Sequence, residues 1–220
     1  MIAPDLISDL VPPLHVDDSG EHALMMMQEF NVSQMPVLEG DKYMGLITME
    51  EIFNLKHLSH TLKSFQLPVR RPFVLDKAHI FDVMKAAVDF NVRVVPVINE
   101  ESEYLGLISA ESCLRAFAVL NSVKGVGAII ELEIPLTDYS LSEVARIVED
   151  NEANMLCFYT NIRQEDSTVQ LTIKLDTTEV SAILASFERF DYEVKGVYND
   201  IDNTEELKDR YDSLMRYLNV

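Results

Sequence analysis

Residues 35–48 read MPVLEGDKYMGLIT, and residues 95–109 read VPVINEESEYLGLIS. Each stretch begins with an apolar run carrying proline in second place. A polar turn follows, and then a second apolar run that ends on a hydroxyl residue. Two β-prone runs across a short polar turn form a hairpin, and a terminal Thr or Ser is suited to cap a helix that follows. The same order therefore occurs twice. Phe30-Asn31-Val32 recurs as Phe90-Asn91-Val92 at an offset of 60, and Gly45-Leu46-Ile47-Thr48 recurs as Gly106-Leu107-Ile108-Ser109 at an offset of 61. The one-residue difference is an insertion in the second turn.

Working outward, each hairpin is preceded by a short extended entry and a helix. In copy one, residues 14–16 are extended. Ser19 caps a helix whose apolar positions Ala23, Leu24 and Met27 share a face. Strands at 35–38 and 43–48 follow. Thr48 then opens a second helix, with Glu51 three residues on completing a capping box. Copy two repeats this with an entry at 73–75, a helix over 80–90, strands at 94–98 and 104–109 around the turn 99–103, and a helix from Glu111. A unit of roughly fifty residues is too small to hold a core alone. The two copies are therefore expected to pack sheet to sheet as one disc. Copy one spans about 1–58, copy two about 70–122, and 57–71 is the connector.

The repeated pattern, an apolar-Pro-Val strand followed by Gly-apolar-apolar-Ser/Thr, resembles the CBS domain, and the tandem pair over residues 1–122 resembles a Bateman module. The resemblance implies a cleft between copies that takes an adenine-containing ligand such as AMP, ADP, ATP or S-adenosylmethionine. It also implies a Ser or Thr near phosphate and an Asp three residues later on the ribose. Thr48 and Ser109 stand at the first position, whereas Glu51 and Ser112 replace the Asp. Glu51 retains a carboxylate on a longer arm; Ser112 has one short hydroxyl. The remaining cleft candidates are Val16, Met35, Pro36, Leu75, Arg93, Val95 and Pro96, with Arg70 or Arg71 of the connector as further cations. The arginines also read as solvating side chains, the hydroxyls as plain helix caps, and the prolines as rigid strand entries.

Past Lys124-Gly125-Val126-Gly127 the order changes. Residues 128–134 alternate as a strand. Ser140 caps a helix with Leu141, Val144, Ala145, Ile147 and Val148 on one side. Strands at 155–160 and 169–175 flank a polar loop, 161–168. Thr177 or Thr178 opens a second helix bearing Val180, Ile183, Leu184 and Phe187, and residues 192–198 return as a strand. The fold class is thus α/β (α+β), with the paired repeat followed by a ferredoxin-like βαββαβ domain over 127–200. That second domain resembles the ACT domain, which implies an amino-acid ligand near the loop before its first helix. Here the loop reads Asp138-Tyr139-Ser140, with the Asp present and the family's Gly absent. The alternative is a dimerisation module. The domain order is also similar to that of acetoin-utilisation-type proteins. A final stretch, 203–220, places Leu207, Tyr211, Leu214 and Leu218 at the spacing of an amphipathic helix.

The chain carries 37 acidic against 18 basic residues, a net charge of −19. That balance disfavours phosphate backbones and anionic lipid, so neither nucleic acid nor membrane is the expected partner. Residues 1–10 lack the basic and apolar regions of a signal peptide, and two cysteines in apolar settings fit a reducing, cytoplasmic address. Cys113 and Cys157 have no nearby His, and His57 and His60 are too few ligands for a metal site. Nucleotide-cradling and hydrolase motifs are missing, so no catalytic residue is assigned. The sequence points to a non-catalytic regulatory sensor that forms a homodimer and signals to a separate effector protein. The alternative is a structural, dimerisation or protein-interaction module whose clefts have lost their ligands.

Overall fold

The computed structural model describes residues 1–8, 11–55, 57–64 and 71–199. They divide into two compact units, Met1–Phe117 and Ala118–Val220. Arg70 and the stretch 203–220 lie outside the described residues.

In the first unit, β1 (Leu14–His15) enters α1 (Gly20–Glu29), which returns the chain to β2 (Gln34–Glu39) parallel to β1. The hairpin partner β3 (Lys42–Thr48) is antiparallel to β2 and leads into α2 (Met49–Phe53). Copy two follows the same course through β4 (Val74–Leu75), α3 (Ile80–Asp89), β5 (Val94–Ile98), β6 (Tyr104–Ser109) and α4 (Ala110–Leu120). The result is two three-stranded sheets, ordered β1-β2-β3 and β4-β5-β6. The registers correspond closely. Val37 faces Gly45 and Val97 faces Gly106, and each ladder is interrupted by a bulge immediately afterwards. Asn31 and Asn91 both sit at positive φ, 53° and 52°, after α1 and α3. Asparagine tolerates this left-handed turn better than most side chains, and it lets the chain leave a helix and feed a strand.

The two copies share main-chain bonds at their hairpin tips. The Tyr43 N–H donates to Ser102 O at 3.0 Å, and the Tyr104 N–H to Asp41 O at 2.9 Å. Behind them lie two small apolar clusters, one of Leu38, Tyr43 and Ile98, the other of Leu46, Val94 and Leu107. Burial of this apolar surface joins the sheets, as the size of a single copy requires.

The segments that flank each copy in sequence are exchanged between the copies in space. Residues 1–8 pack on copy two. The Ala3 N–H donates to Ala78 O at 2.9 Å, the Ser8 N–H donates to Leu107 O at 2.9 Å, and Ala3 and Leu6 join the core of Val74, Ile80, Val83 and Ile108. Residues 57–64 do the same for copy one. Gly20 and Glu21 donate to His60 O and Leu58 O, and Leu62 is fully buried beside Leu14, Met27 and Ile52. Each copy is thus completed by the segment that precedes the other in sequence. Part of what reads as a connector is core. Gly106 marks the contact: its φ is +145°, and a Cβ there would lie 2.4 Å from Ile7 Cγ2, so only glycine fits.

In the second unit, β7 (Ala128–Pro135), α5 (Leu141–Glu149), β8 (Met155–Arg163), β9 (Thr168–Leu175), α6 (Ser181–Arg189) and β10 (Glu193–Asn199) form an antiparallel sheet ordered β10-β7-β9-β8. Its core sets Ile130, Leu132, Ile134, Leu171 and Ile173 against Val144, Ile147 and Val148 of α5 and Ile183 and Phe187 of α6. Two expectations are corrected. Half of the polar loop 161–168 is strand, because Asn161, Ile162 and Arg163 pair with Gln170, Val169 and Thr168, and only 164–167 form the turn. Neither Thr177 nor Thr178 caps α6. The helix starts from Val180 without a side-chain cap, and Thr177 Oγ1 instead accepts the Glu179 N–H at 3.1 Å in a local turn.

Candidate functional site

A cleft of about 270 Å³ opens between the two copies of the first unit. Copy one contributes Asn31, Val32, Ser33 and Gln34, the turn that carries α1 into β2. Copy two contributes Arg93 and Val94 from the matching turn, with Ser109, Ala110 and Glu111 from the junction of β6 and α4. The cleft is fixed from both sides. Gln34 Oε1 accepts the Arg93 N–H at 2.9 Å across the copies, and the Ala110 N–H donates to Arg93 O at 2.8 Å. Ser109 Oγ accepts the Ser112 N–H at 3.0 Å and lies 3.0 Å from Ser112 Oγ.

The charge at the cleft is uneven. The Glu111 carboxylate is held by Arg115 one turn along α4, at 2.5 Å to Nη2. Arg93 is exposed and, among the described residues, has no salt-bridge partner. This guanidinium, beside the amide end of an eleven-residue helix, gives the cleft a cationic side on an otherwise acidic chain. This arrangement has no match in copy one, where Ser33 replaces Arg93 and the counterpart of Gln34 is Val94.

Of the residues singled out from the sequence, the structure brings Arg93 and Ser109 to this cleft. Thr48 and Glu51 are partly buried at the start of α2 and bond to each other's backbone. Glu51 Oε2 accepts the Thr48 N–H at 2.7 Å, and Thr48 Oγ1 accepts the Glu51 N–H at 3.1 Å. Val16, Met35 and Val95 are core residues, 5%, 0% and 1% exposed. Pro36 and Pro96 are buried opposite Leu46 and Leu107, and Leu75 is exposed beside β5. Val95 lines a different, apolar groove between α3 and α4, with Met84, Val88, Leu114 and Phe117. Sequence reasoning missed Asn31, Ser33, Gln34 and Glu111. The positive-φ asparagine after each first helix was the available signal, since it turns that segment out of the core.

In the second unit, Asp138 is exposed and Ser140 caps α5, accepting the Glu143 N–H at 3.4 Å. Tyr139 packs on the core. Glu143 in turn accepts the Tyr192 hydroxyl at 2.8 Å; burial, then this carboxylate, pushes the phenol up to about 12. Burial also raises the thiols of Cys113 and Cys157. Among the described residues no group of three His, Cys, Asp or Glu side chains is placed to hold a metal, and no helix is long and apolar enough to cross a membrane.

Comparison with known proteins bears on the first unit. The inosine-5'-monophosphate dehydrogenase of Korarchaeum cryptofilum (strain OPF8) is 25% identical over 96 residues, 43% of this chain and 20% of that enzyme. The chain thus spans about a fifth of that relative's length. Protein MJ1004 from Mathanocaldococcus jannaschii superposes over 69% of this chain and 67% of its own, at 18% identity and a TM-score of 0.50, a likeness of fold. A CBS domain pair/ACT domain protein from Thermotoga maritima covers 54% of this chain and 98% of its own, at 18% identity and a TM-score of 0.49. The CBS domain model matches twice, at residues 5–57 and 65–119, the two copies read from the repeated hairpins. The first unit of this chain is a tandem pair of CBS domains.

Proposed function

We propose that the CBS pair is a non-catalytic regulatory sensor that takes an adenosyl ligand such as AMP, ADP, ATP or S-adenosylmethionine in the cleft between its copies. The observation that carries this reading is Arg93, a cation with no salt-bridge partner among the described residues at a cleft built from both copies, with the Ser109 hydroxyl and the start of α4 beside it. A phosphate or other anionic group is what such a constellation stabilises best. The adenosyl class comes from the CBS family. A ligand bridging Gln34 and Arg93 changes how the copies meet, and the protein passes that change to an effector as a homodimer. Amino-acid binding at Asp138-Tyr139-Ser140 belongs to the same proposal, as a second input.

One observation favours the alternative of a structural module. Glu51 and Thr48 satisfy one another, and Ser109 and Ser112 share a hydrogen bond, so the residues at the family's sugar-binding positions are engaged within their own helices. A thermal-shift screen with AMP, ADP, ATP and S-adenosylmethionine separates the two. Stabilisation by at least one ligand supports the sensor. No shift with any of the four supports the structural module.

A further inference from the structure

Helices α5 and α6 of the second unit cover the face of its sheet that carries Ile130 and Ile173. Neighbouring residues on a strand point to opposite faces, so Ile129, Lys174 and Thr172 lie on the outer one. There the registers run a single row across all four strands. Tyr198 stands opposite Ile129, Ile129 opposite Lys174, and Lys174 opposite Cys157. The middle of this face is closely packed: Thr172 and Lys174 are 8% and 7% exposed. The Lys174 ammonium donates to Gly127 O at 3.3 Å, which leaves the alkyl stem as part of the floor. Tyr159 and Tyr198, on the two edge strands, are 53% and 56% exposed. The Tyr198 ring lies against Gly196, where a Cβ would come within 3.1 Å of it. A contiguous apolar floor bounded by exposed aromatic rings is the mark of a docking surface.

The chain itself supplies an occupant. β10 ends at Asn199 on the edge beside β7, and residues 200–220 follow it. Their sequence sets Leu207, Tyr211, Leu214 and Leu218 at helical spacing. A helix this short is marginal in water unless its apolar stripe is covered. From Leu207 to Leu218 it would be about 17 Å long. The four strands lie about 14 Å apart from first to last, so the stripe spans the sheet. Residues 200–206, at most about 24 Å when extended, reach any part of the face. The charges match as well. By helical period Lys208 and Arg210 flank the stripe, one on each side, while Asp209 and Asp212 fall on the far side. The outer face offers carboxylates to those flanks, Glu131 and Glu133 of the central strand β7, both half-buried. Covalent attachment also gives this segment an effective concentration that a separate partner lacks.

We propose that residues 203–220 form a helix that docks through Leu207, Tyr211, Leu214 and Leu218 across the outer face of the second unit's own sheet. The ligand reading of the CBS cleft stands or falls separately. The test uses the full chain with Cys113→Ser, which leaves Cys157, at the end of the outer row, as its one thiol. Leu214→Glu places a carboxylate in the stripe and should speed alkylation of Cys157 by iodoacetamide at least about fivefold. Asp209→Ala, on the far side, should leave the rate as it was. Slow hydrogen exchange in β7 and β9 of both variants shows that the sheet is intact. An alkylation rate indifferent to Leu214→Glu would overturn the proposal, as would equal acceleration by Asp209→Ala. Isotopically light and heavy chains refolded together and treated with an amine cross-linker identify whose segment is docked. Cross-links from Lys208 to Lys195 confined to one isotope are expected. Cross-links joining light to heavy copies would assign the segment to a second copy and overturn the proposal.

Discussion

The two CBS copies share a hairpin register, a bulge position and a left-handed asparagine, yet they differ where they could meet a ligand. In copy one, the carboxylate at the sugar-contact position turns back onto its own helix, and α2 is five residues long. In copy two, α4 runs for eleven residues from Ala110, and the Arg93 beside its start has no salt-bridge partner among the described residues. Duplication preserved what the core needs. The exposed ends of the strands and helices, which packing constrains less, have diverged. The cleft therefore has a cation and the start of α4 from copy two, while the corresponding helix start in copy one is closed by its capping box.

The largest effect should come from breaking the exchange of segments between copies. Removing residues 1–8 strips Ala3, Leu6 and Ile7 from copy two and should cost at least about 3 kcal/mol. Hydrogen exchange should show β5, β6 and α3 losing protection while β2 and β3 keep theirs. Equal loss in both copies would contradict the packing of 1–8 on copy two alone. On the other side, Leu62→Ala should destabilise the chain by about 2–5 kcal/mol in urea unfolding, because the side chain is fully buried in copy one. Phe53→Ala, 61% exposed on α2, should stay within about 0.5 kcal/mol.

These two segments also mark how far the sequence was legible. The hairpins, their caps and the ferredoxin-like order could be read because alternation and capping are local signals, as at Thr48-Glu51 and Ser140-Glu143. The exchange of 1–8 and 57–64 could not, since nothing local distinguishes a short apolar stretch docking on one copy from the same stretch docking on the other. The far half of β8 was hidden for a different reason. As an edge strand with both faces partly wet, it holds Asn161 and Arg163 without a clean apolar alternation. The candidate site was the least legible part. Ser109 and Arg93 carried a signal, but Gln34 and Asn31 reach the cleft through tertiary pairing. Met35 and Val95, apolar and adjacent to the prolines, were placed by the same strand geometry in the core.

Smaller effects should sharpen the contrast between helix starts. Thr48→Ala removes the hydroxyl arm of a capping box, leaving the backbone N–H to Glu51 in place, and should cost about 1–2 kcal/mol by thermal or urea unfolding. Ser109→Ala removes one backbone contact and the hydroxyl pair with Ser112, and should cost about 1 kcal/mol or less. If Ser109→Ala proved the costlier of the two, the hydroxyl pair of copy two would be a stronger cap than its geometry indicates.

The most direct test of the sensor reading is calorimetric titration of the full chain, and of its Arg93→Ala variant, with AMP, ADP, ATP and S-adenosylmethionine. Saturable binding of at least one ligand is expected, with a loss of about tenfold or more in affinity for Arg93→Ala, while Arg71→Ala binds as the parent does. No binding by the parent chain, or binding indifferent to Arg93, would contradict it.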